Sequence, residues 1–206
     1  MISIIPLEDY TELDNWIKKL CFTHHQPPAT NHRSIDWLVF TSRFGVYYFF
    51  DRLLKLGYDS RKLNGIKIAA IGSSTSNKLK EYGIIADLVP KKECSDGLIE
   101  EFKELITKTE NLQPKTSILL IRSDIADKNL AKRLTNLGFN IYSCVAYRNV
   151  MPDDLPELDL SFLNEVYFSS PSTVRNFIAR YGKPNRCKVR TIGKVTENEA
   201  RRFKII

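Results

Sequence analysis

Apolar residues along this chain gather in two alternating ways, as short unbroken runs and as stripes at helical spacing. The runs at residues 35–40, 66–71 and 116–122 are rich in β-branched and aliphatic side chains and end in polar turns. That pattern predicts strands buried on both faces. Stripes come between them: Leu13, Trp16, Ile17 and Leu20 share one helix face, and Val46, Phe49, Phe50, Leu53 and Leu54 share one face of the next. Further helices are predicted over residues 97–107, with Ser95 as N-cap, and over 126–137, stopped by Gly138. Residues 84–90 and 139–147 read as two more strands. Strands and helices in such regular alternation imply a parallel sheet covered on both faces, with any ligand beyond the carboxyl ends of the strands.

Two stretches of this pattern occur twice. KIAAIGSSTSNKL at 67–79 is echoed by KVRTIGKVTENEA at 188–200, with Ile-Gly and a Thr three residues after the Gly in both. WLVFTSRFGVYYFF at 37–50 is echoed by VYFSSPSTVRNFI at 166–178. Each copy reads as strand, hydroxyl-rich turn, helix, so the chain is expected to hold two related α/β lobes. A helix mouth after a strand presents unpaired N–H groups and the positive end of the dipole, which favours a carboxylate or phosphate. Ser42, Thr75, Ser170, Ser172 and Thr196 are the hydroxyls at these turns, and Arg122 closes the 116–122 strand. Each hydroxyl reads equally as a plain helix cap.

Composition narrows the ligand. The chain has 206 residues, 43% hydrophobic and 27% charged, with a formal net charge of +7. No apolar run approaches the roughly 20 residues of a membrane span, and no signal pattern opens the chain, so a cytoplasmic protein is expected. A basic chain welcomes polyanions. Its basic residues, such as Lys78 and Lys80, Lys132 and Arg133, or Arg201 and Arg202, are interleaved with acids rather than run together, which argues against nucleic acid. Cys21, Cys94, Cys144 and Cys187 lack CxxC spacing and read as reduced thiols. His24, His25 and His32 follow Cys21 in a proline-containing stretch that fits no structural zinc pattern and reads as a surface loop, so no metal site is expected. Residues 149–163, with their acids and two prolines, read as a connection.

In their order and spacing, DWLVFTSRFGV, IAAIGSSTSNKL with EYGIIADLVP, LLIR followed by a helix and VAYRNV, YFSSPSTVRNF and TIGKVT resemble the uroporphyrinogen-III synthase family. The phrasing is similar to the synthase half of proteins fused to a methyltransferase, which makes such a domain an expected partner, fused or associated. The resemblance implies two flavodoxin-like lobes with parallel sheets joined by a two-stranded hinge, one inserted in the other. The inserted lobe would be residues 7–148, and residues 1–6 with 149–206 the discontinuous one. The family pattern also has a strand and helix before the segment matching 2–6, and a strand and helix after the last one here. The discontinuous lobe is therefore expected to lack elements at both ends.

The resemblance further implies a lyase of porphyrin and heme biosynthesis. It would close linear hydroxymethylbilane to uroporphyrinogen III, inverting ring D and releasing water, without metal or organic cofactor. The substrate's eight carboxylates suit helix mouths on both sides of a cleft, with Ser42, Thr75, Arg122, Ser170, Ser172, Lys188 and Thr196 as substrate-binding residues. Tyr147 aligns with the family's cleft tyrosine and is expected to hydrogen-bond or protonate the leaving hydroxyl, although a phenol is a feeble acid at neutral pH. Two other readings stay open: a degenerate relative that binds an anionic tetrapyrrole or partner without catalysis, and a flavin-binding flavodoxin relative.

Overall fold

The computed structural model describes residues 3–23, 35–108, 116–152 and 154–206, so His24, His25 and His32 lie outside the described residues. The chain divides into two compact units, Ile5–Arg148 and the remaining residues. The points of passage, after Ile4 and after Arg148, fall within strands β1 (Ser3–Ile5) and β5 (Asn140–Val150).

The larger unit is built on β2 (Trp37–Phe40), β3 (Lys67–Ala70), β4 (Ser117–Ser123) and β5, in the sheet order β1-β5-β4-β2-β3. The pairs β2 with β3, β2 with β4 and β4 with β5 are all parallel. Helices cover both faces, which is why these strands carry unbroken apolar runs. On one face Trp37 and Val39 join Ile118 and Leu120 against α4 (Ser95–Lys108) and α5 (Asn129–Asn136), through Leu98, Phe102, Leu130 and Leu134. On the other, Phe40 meets Phe49 and Phe50 of α2 (Arg43–Lys55) at 5.4 and 6.1 Å between ring centroids. Helices α1 (Thr11–Thr23) and α3 (Ser73–Lys80) pack beside α2. Phe40, Phe49 and Phe50 are at most 1% exposed. Truncating any one of them to Ala would cost about 3–5 kcal/mol.

Two expectations change here. Leu54 is 55% exposed while Val46, Phe49, Phe50 and Leu53 are buried, so the stripe is one residue narrower than its spacing suggests. The strand expected over 84–90 shrinks to a single bridge, Ala69 to Leu88. Its pairing is diverted by Asp87, whose carboxylate accepts the Ile68 N–H at 2.7 Å in place of a backbone carbonyl.

Chain order sets the functional end of the sheet. From β2 the chain moves outward to β3, then returns to β4 on the other side of β2 and continues to β5. The order therefore reverses between β2 and β4, and the crevice beyond their carboxyl ends is where open α/β sheets bind ligands.

The smaller unit holds β6 (Glu165–Phe168) and β7 (Lys188–Thr191), paired in parallel, with α6 (Pro171–Tyr181) and α7 (Lys194–Arg202). Its core is small: Phe168, Val174 and Ala200 are buried, with Val166, Phe177, Ile178, Val189, Phe203 and Ile205 packed around them. Part of the 149–163 connection is tied down rather than free. Leu155 is buried and its carbonyl accepts from Arg180, while Tyr181 donates to the Pro156 carbonyl at 2.9 Å.

All four cysteines are free thiols; Cys21 and Cys144 are buried, Cys94 and Cys187 half-buried. Burial pushes the Cys144 thiol up to about 12 and also raises that of Cys21. No helix among the described residues is long and apolar enough to cross a membrane, and none of them form a cluster of His, Cys, Asp and Glu able to hold a metal ion.

Candidate active site

The β2 strand ends in Thr41 and Ser42, and Ser42 caps α2: its backbone is extended and its Oγ accepts the Gly45 N–H at 3.0 Å. Opposite, β5 carries one extra residue, so Arg122 pairs with Val145 but Ser123 pairs with Tyr147. Such a bulge re-aims a side chain. Here it accompanies a Tyr147 hydroxyl 2.8 Å from Ser42 Oγ. The Tyr147 ring stacks on Tyr48 at 5.8 Å with 15° between planes, lies 6.0 Å from Phe44, and is only 5% exposed.

Two hydroxyl protons serve this pair, and a single hydrogen bond joins them. With Ser42 as donor, the Tyr147 proton is free for a third group.

A cavity of about 240 Å³ opens at the same strand ends, lined by Tyr147 together with Thr41, Ile71, Arg122, Ser95 and Asn129 among others. Arg122 is 7% exposed. Its guanidinium donates to the Asp127 carbonyl, and burial pulls its pKa down against the opposing charge of Asp127. That turn also explains why α5 begins at Asn129 instead of the expected 126. The Asp127 carbonyl is held by the guanidinium, and Asp127 Oδ1 accepts the Asn129 N–H at 2.9 Å.

The helix mouths differ from a row of hydroxyl caps. Glycines, Gly72 and Gly193, occupy the N-cap positions of α3 and α7. Thr75 and Thr196, equivalent third residues of these helices, are each 3% exposed. What the mouths offer is backbone: the Ser76 and Glu197 N–H groups return to Gly72 and Gly193, leaving three N–H groups before each without a helical acceptor. The α3 mouth is already met by a carboxylate. Ser73 Oγ donates to Glu93 at 3.1 Å, and a Cβ on Gly72 would lie 2.6 Å from the same oxygen. At α6, Ser170 and Thr173 form a capping box, and Ser170 Oγ lies 3.0 Å from Ser172 Oγ.

The family model described as uroporphyrinogen-III synthase HemD matches residues 1–205. The chain belongs to this family.

Within it, the porphyrin biosynthesis protein HemD of Ruminiclostridium josui is 29% identical over 167 residues, 72% of this chain and 29% of that protein. The putative uroporphyrinogen-III synthase of Methanothermobacter thermautotrophicus is 28% identical over 176 residues, 78% of this chain and 66% of that protein. The chain thus spans less than two thirds of each of these two relatives. In fold, it is similar to a crystallised mutant uroporphyrinogen III synthase from the extremely thermophilic bacterium Thermus thermophilus, with a TM-score of 0.67 at 17% identity over 99% of this chain and 78% of that one.

Against the HemD family expectations, the larger unit gathers Tyr147, Ser42 and Arg122 at one end of its sheet. Thr75 stands at the neighbouring α3 mouth with its side chain buried. In the smaller unit Ser170 and Ser172 share the α6 mouth, and Thr196 is buried at α7. Lys188 falls out of this set: it opens β7, at the strand end opposite the Gly193 mouth, so strand direction places it away from the rim. Ser95, expected as an N-cap, is instead the first residue of α4 and lines the cavity, and neither Asn129 nor the Glu93 carboxylate is expected from the sequence. Glu93 sits in a turn that adjoins α3 only through tertiary packing, and no local signal marks it.

Proposed function

We propose that this chain is a uroporphyrinogen-III synthase that closes hydroxymethylbilane into uroporphyrinogen III with inversion of ring D and release of water. The observation that carries the reading is the Tyr147–Ser42 pair at the edge of the Arg122 cavity, at the switch point of a sheet whose chain matches the synthase family from end to end. Loss of the bilane hydroxyl needs one proton, which Tyr147 supplies as the C–O bond breaks, releasing water and leaving an azafulvene cation. The substituted carbon of ring D attacks the cation, the spiro intermediate fragments and recloses at the free α-carbon of ring D, and that carbon's proton is lost, restoring the pyrrole and reprotonating the phenol. Positioning carries much of the rate: aromatic walls from Phe44 and Tyr48 keep water from the cation, and carboxylates are held by helix-mouth N–H groups, by Ser42, Ser170 and Ser172, and by Arg122. Thr75 and Thr196 act through their backbone rather than their hydroxyls.

In this reading the units are two flavodoxin-like lobes, the larger inserted in the smaller, with β1 and β5 as a two-stranded hinge. The two passage points within those strands support it. A cytoplasmic location goes with such a role. A methyltransferase domain is the proposed partner, fused or associated; the R. josui protein, of which this chain covers 29%, is long enough to hold a further domain.

Freshly made hydroxymethylbilane supplies the test. An active chain yields isomer III, whereas uncatalysed closure yields isomer I; saturable binding of uroporphyrinogen without isomer III would overturn the catalytic reading. Tyr147→Phe is expected to lower kcat by no more than about 10²-fold, the low end of general acid catalysis. Unchanged kinetics would remove Tyr147 from the mechanism.

A further inference from the structure

Arg122 is the one charged side chain that is buried among the described residues. A guanidinium does not shed its charge in a protein, so a buried one demands compensation. The chain supplies little. No carboxylate among the described residues comes within ion-pairing distance of Arg122, and its recorded hydrogen bond goes to the neutral Asp127 carbonyl. Asp127 contributes opposing charge from nearby, but it forms no ion pair with the guanidinium, and its Oδ1 accepts the Asn129 N–H at the start of α5. A planar fork with five N–H donors, buried and underused, therefore lines a cavity together with the polar groups of Ser95, Ser123 and Asn129.

We propose that this cavity is a subsite for one small carboxylate, held by the Arg122 fork beside Tyr147. The volume agrees: about 240 Å³ is below the roughly 300–1,000 Å³ of sites for drug-sized ligands, so it admits one acid arm and part of its ring but not a tetrapyrrole. The chemistry agrees as well, since guanidinium and carboxylate match in a bidentate pair. The proposal rests on the synthase reading only for the parent of that arm, a side chain of the pyrrole ring nearest Tyr147. In that role Arg122 sets which ring lies over the phenol, and so is a determinant of specificity.

Propionate is the probe, titrated into the full chain while the Arg122 Nε–H signal is followed by NMR. The expected result is a saturable shift with propionate and none with neutral propionamide. Affinity should fall about tenfold in Arg122→Lys, which keeps the charge but loses the fork. Asn129→Phe, which fills the mouth and leaves the guanidinium intact, should lose binding altogether and serves as the test should Arg122→Lys fail to fold. An Arg122 signal that propionate leaves unmoved, an equal response to propionamide, or unchanged affinity in Asn129→Phe would overturn the proposal. The two readings fail separately. Isomer III formed by a chain without this propionate response sinks the subsite alone, whereas the response without isomer III sinks the synthase reading and leaves a carboxylate site.

Discussion

The α3 mouth of the larger unit and the α7 mouth of the smaller one are written with nearly the same residues, Ile-Gly-Ser-Ser-Thr and Ile-Gly-Lys-Val-Thr. Their backbones agree: both have an extended glycine at N-cap, a buried threonine three residues on and three N–H groups without helical acceptors. Their surroundings do not. Glu93 lies against Gly72, while nothing lies within 4 Å of where a Cβ on Gly193 would be. A repeated motif thus fixes the geometry of a helix mouth, and the neighbouring chain decides whether that mouth is open. The Glu93 carboxylate at α3 stands where an external anion would otherwise be favoured, so an incoming acid has to displace it.

The largest break in this comparison comes from the turn that presents Glu93. Gly97, in the first turn of α4, is approached so closely that an added Cβ would lie 2.0 Å from the Lys92 carbonyl oxygen. Backbone cannot swing aside as a side-chain tip can. Gly97→Ala is therefore expected to cost about 1–3 kcal/mol, and to pull Glu93 away from α3 as residues 92–94 shift. Urea unfolding read by tryptophan fluorescence checks it, because Trp16 and Trp37 are the chain's two tryptophans and both belong to the larger unit. Gly193→Ala, into open space with extended φ, should cost the smaller unit only the ordinary penalty of Ala at an N-cap, about 0.5–1 kcal/mol, read by hydrogen exchange in α7.

Glu93→Gln sharpens the comparison without moving backbone. An anion at a helix N-terminus contributes about 0.3–1 kcal/mol, so the variant should be slightly less stable. It should also bind uroporphyrinogen two- to fivefold more tightly, since 0.3–1 kcal/mol corresponds to roughly that ratio. Affinity that falls together with stability would mean that Glu93 supports the site rather than fills it.

The smallest effect is in acid. In the larger unit the Thr11 hydroxyl holds Asp9 below the usual carboxylate range, and the guanidiniums of Arg61 and Arg133 do the same for Asp59 and Asp96. Among its described residues the smaller unit has one such group, Asp159, bonded by Ser161. A depressed folded-state pKa stabilises at pH above the unfolded value, here 3.8, and that contribution fades as pH falls through the lower folded value. Hydrogen exchange resolved by segment should show the larger unit losing protection more steeply than the smaller below pH 3.8. All four groups are exposed, so the difference will be slight.

Much of the frame was legible in the sequence because it follows from periodicity alone. The unbroken runs of β2, β3 and β4, the stripe on α2 and the Ser42 and Ser170 caps are local signals, and the structure carries them at nearly the expected positions. What escaped depends on tertiary packing. Ser42 meets Tyr147 across 105 positions of chain, and only the bulge in β5, which no residue type announces, brings the phenol there. The 84–90 stretch has strand composition but loses its ladder to one aspartate. Lys188 has the charge the resemblance asks for, but it opens β7, and strand direction sets it at the end away from the Gly193 mouth. Burial, too, is invisible locally: Thr75 and Thr196 read as hydroxyls on offer, yet the helices that carry them in their first turns hold those side chains inward.

The uneven exposure of the four thiols makes the chain a ruler in its own right. Cys21 and Cys144 are shielded, and burial keeps Cys144 protonated at any pH a cell visits, so alkylating reagents will pass them over. Cys94 and Cys187 remain, one on each unit. A pair of spin labels attached there, with no residue replaced, would report the distance between the two units directly.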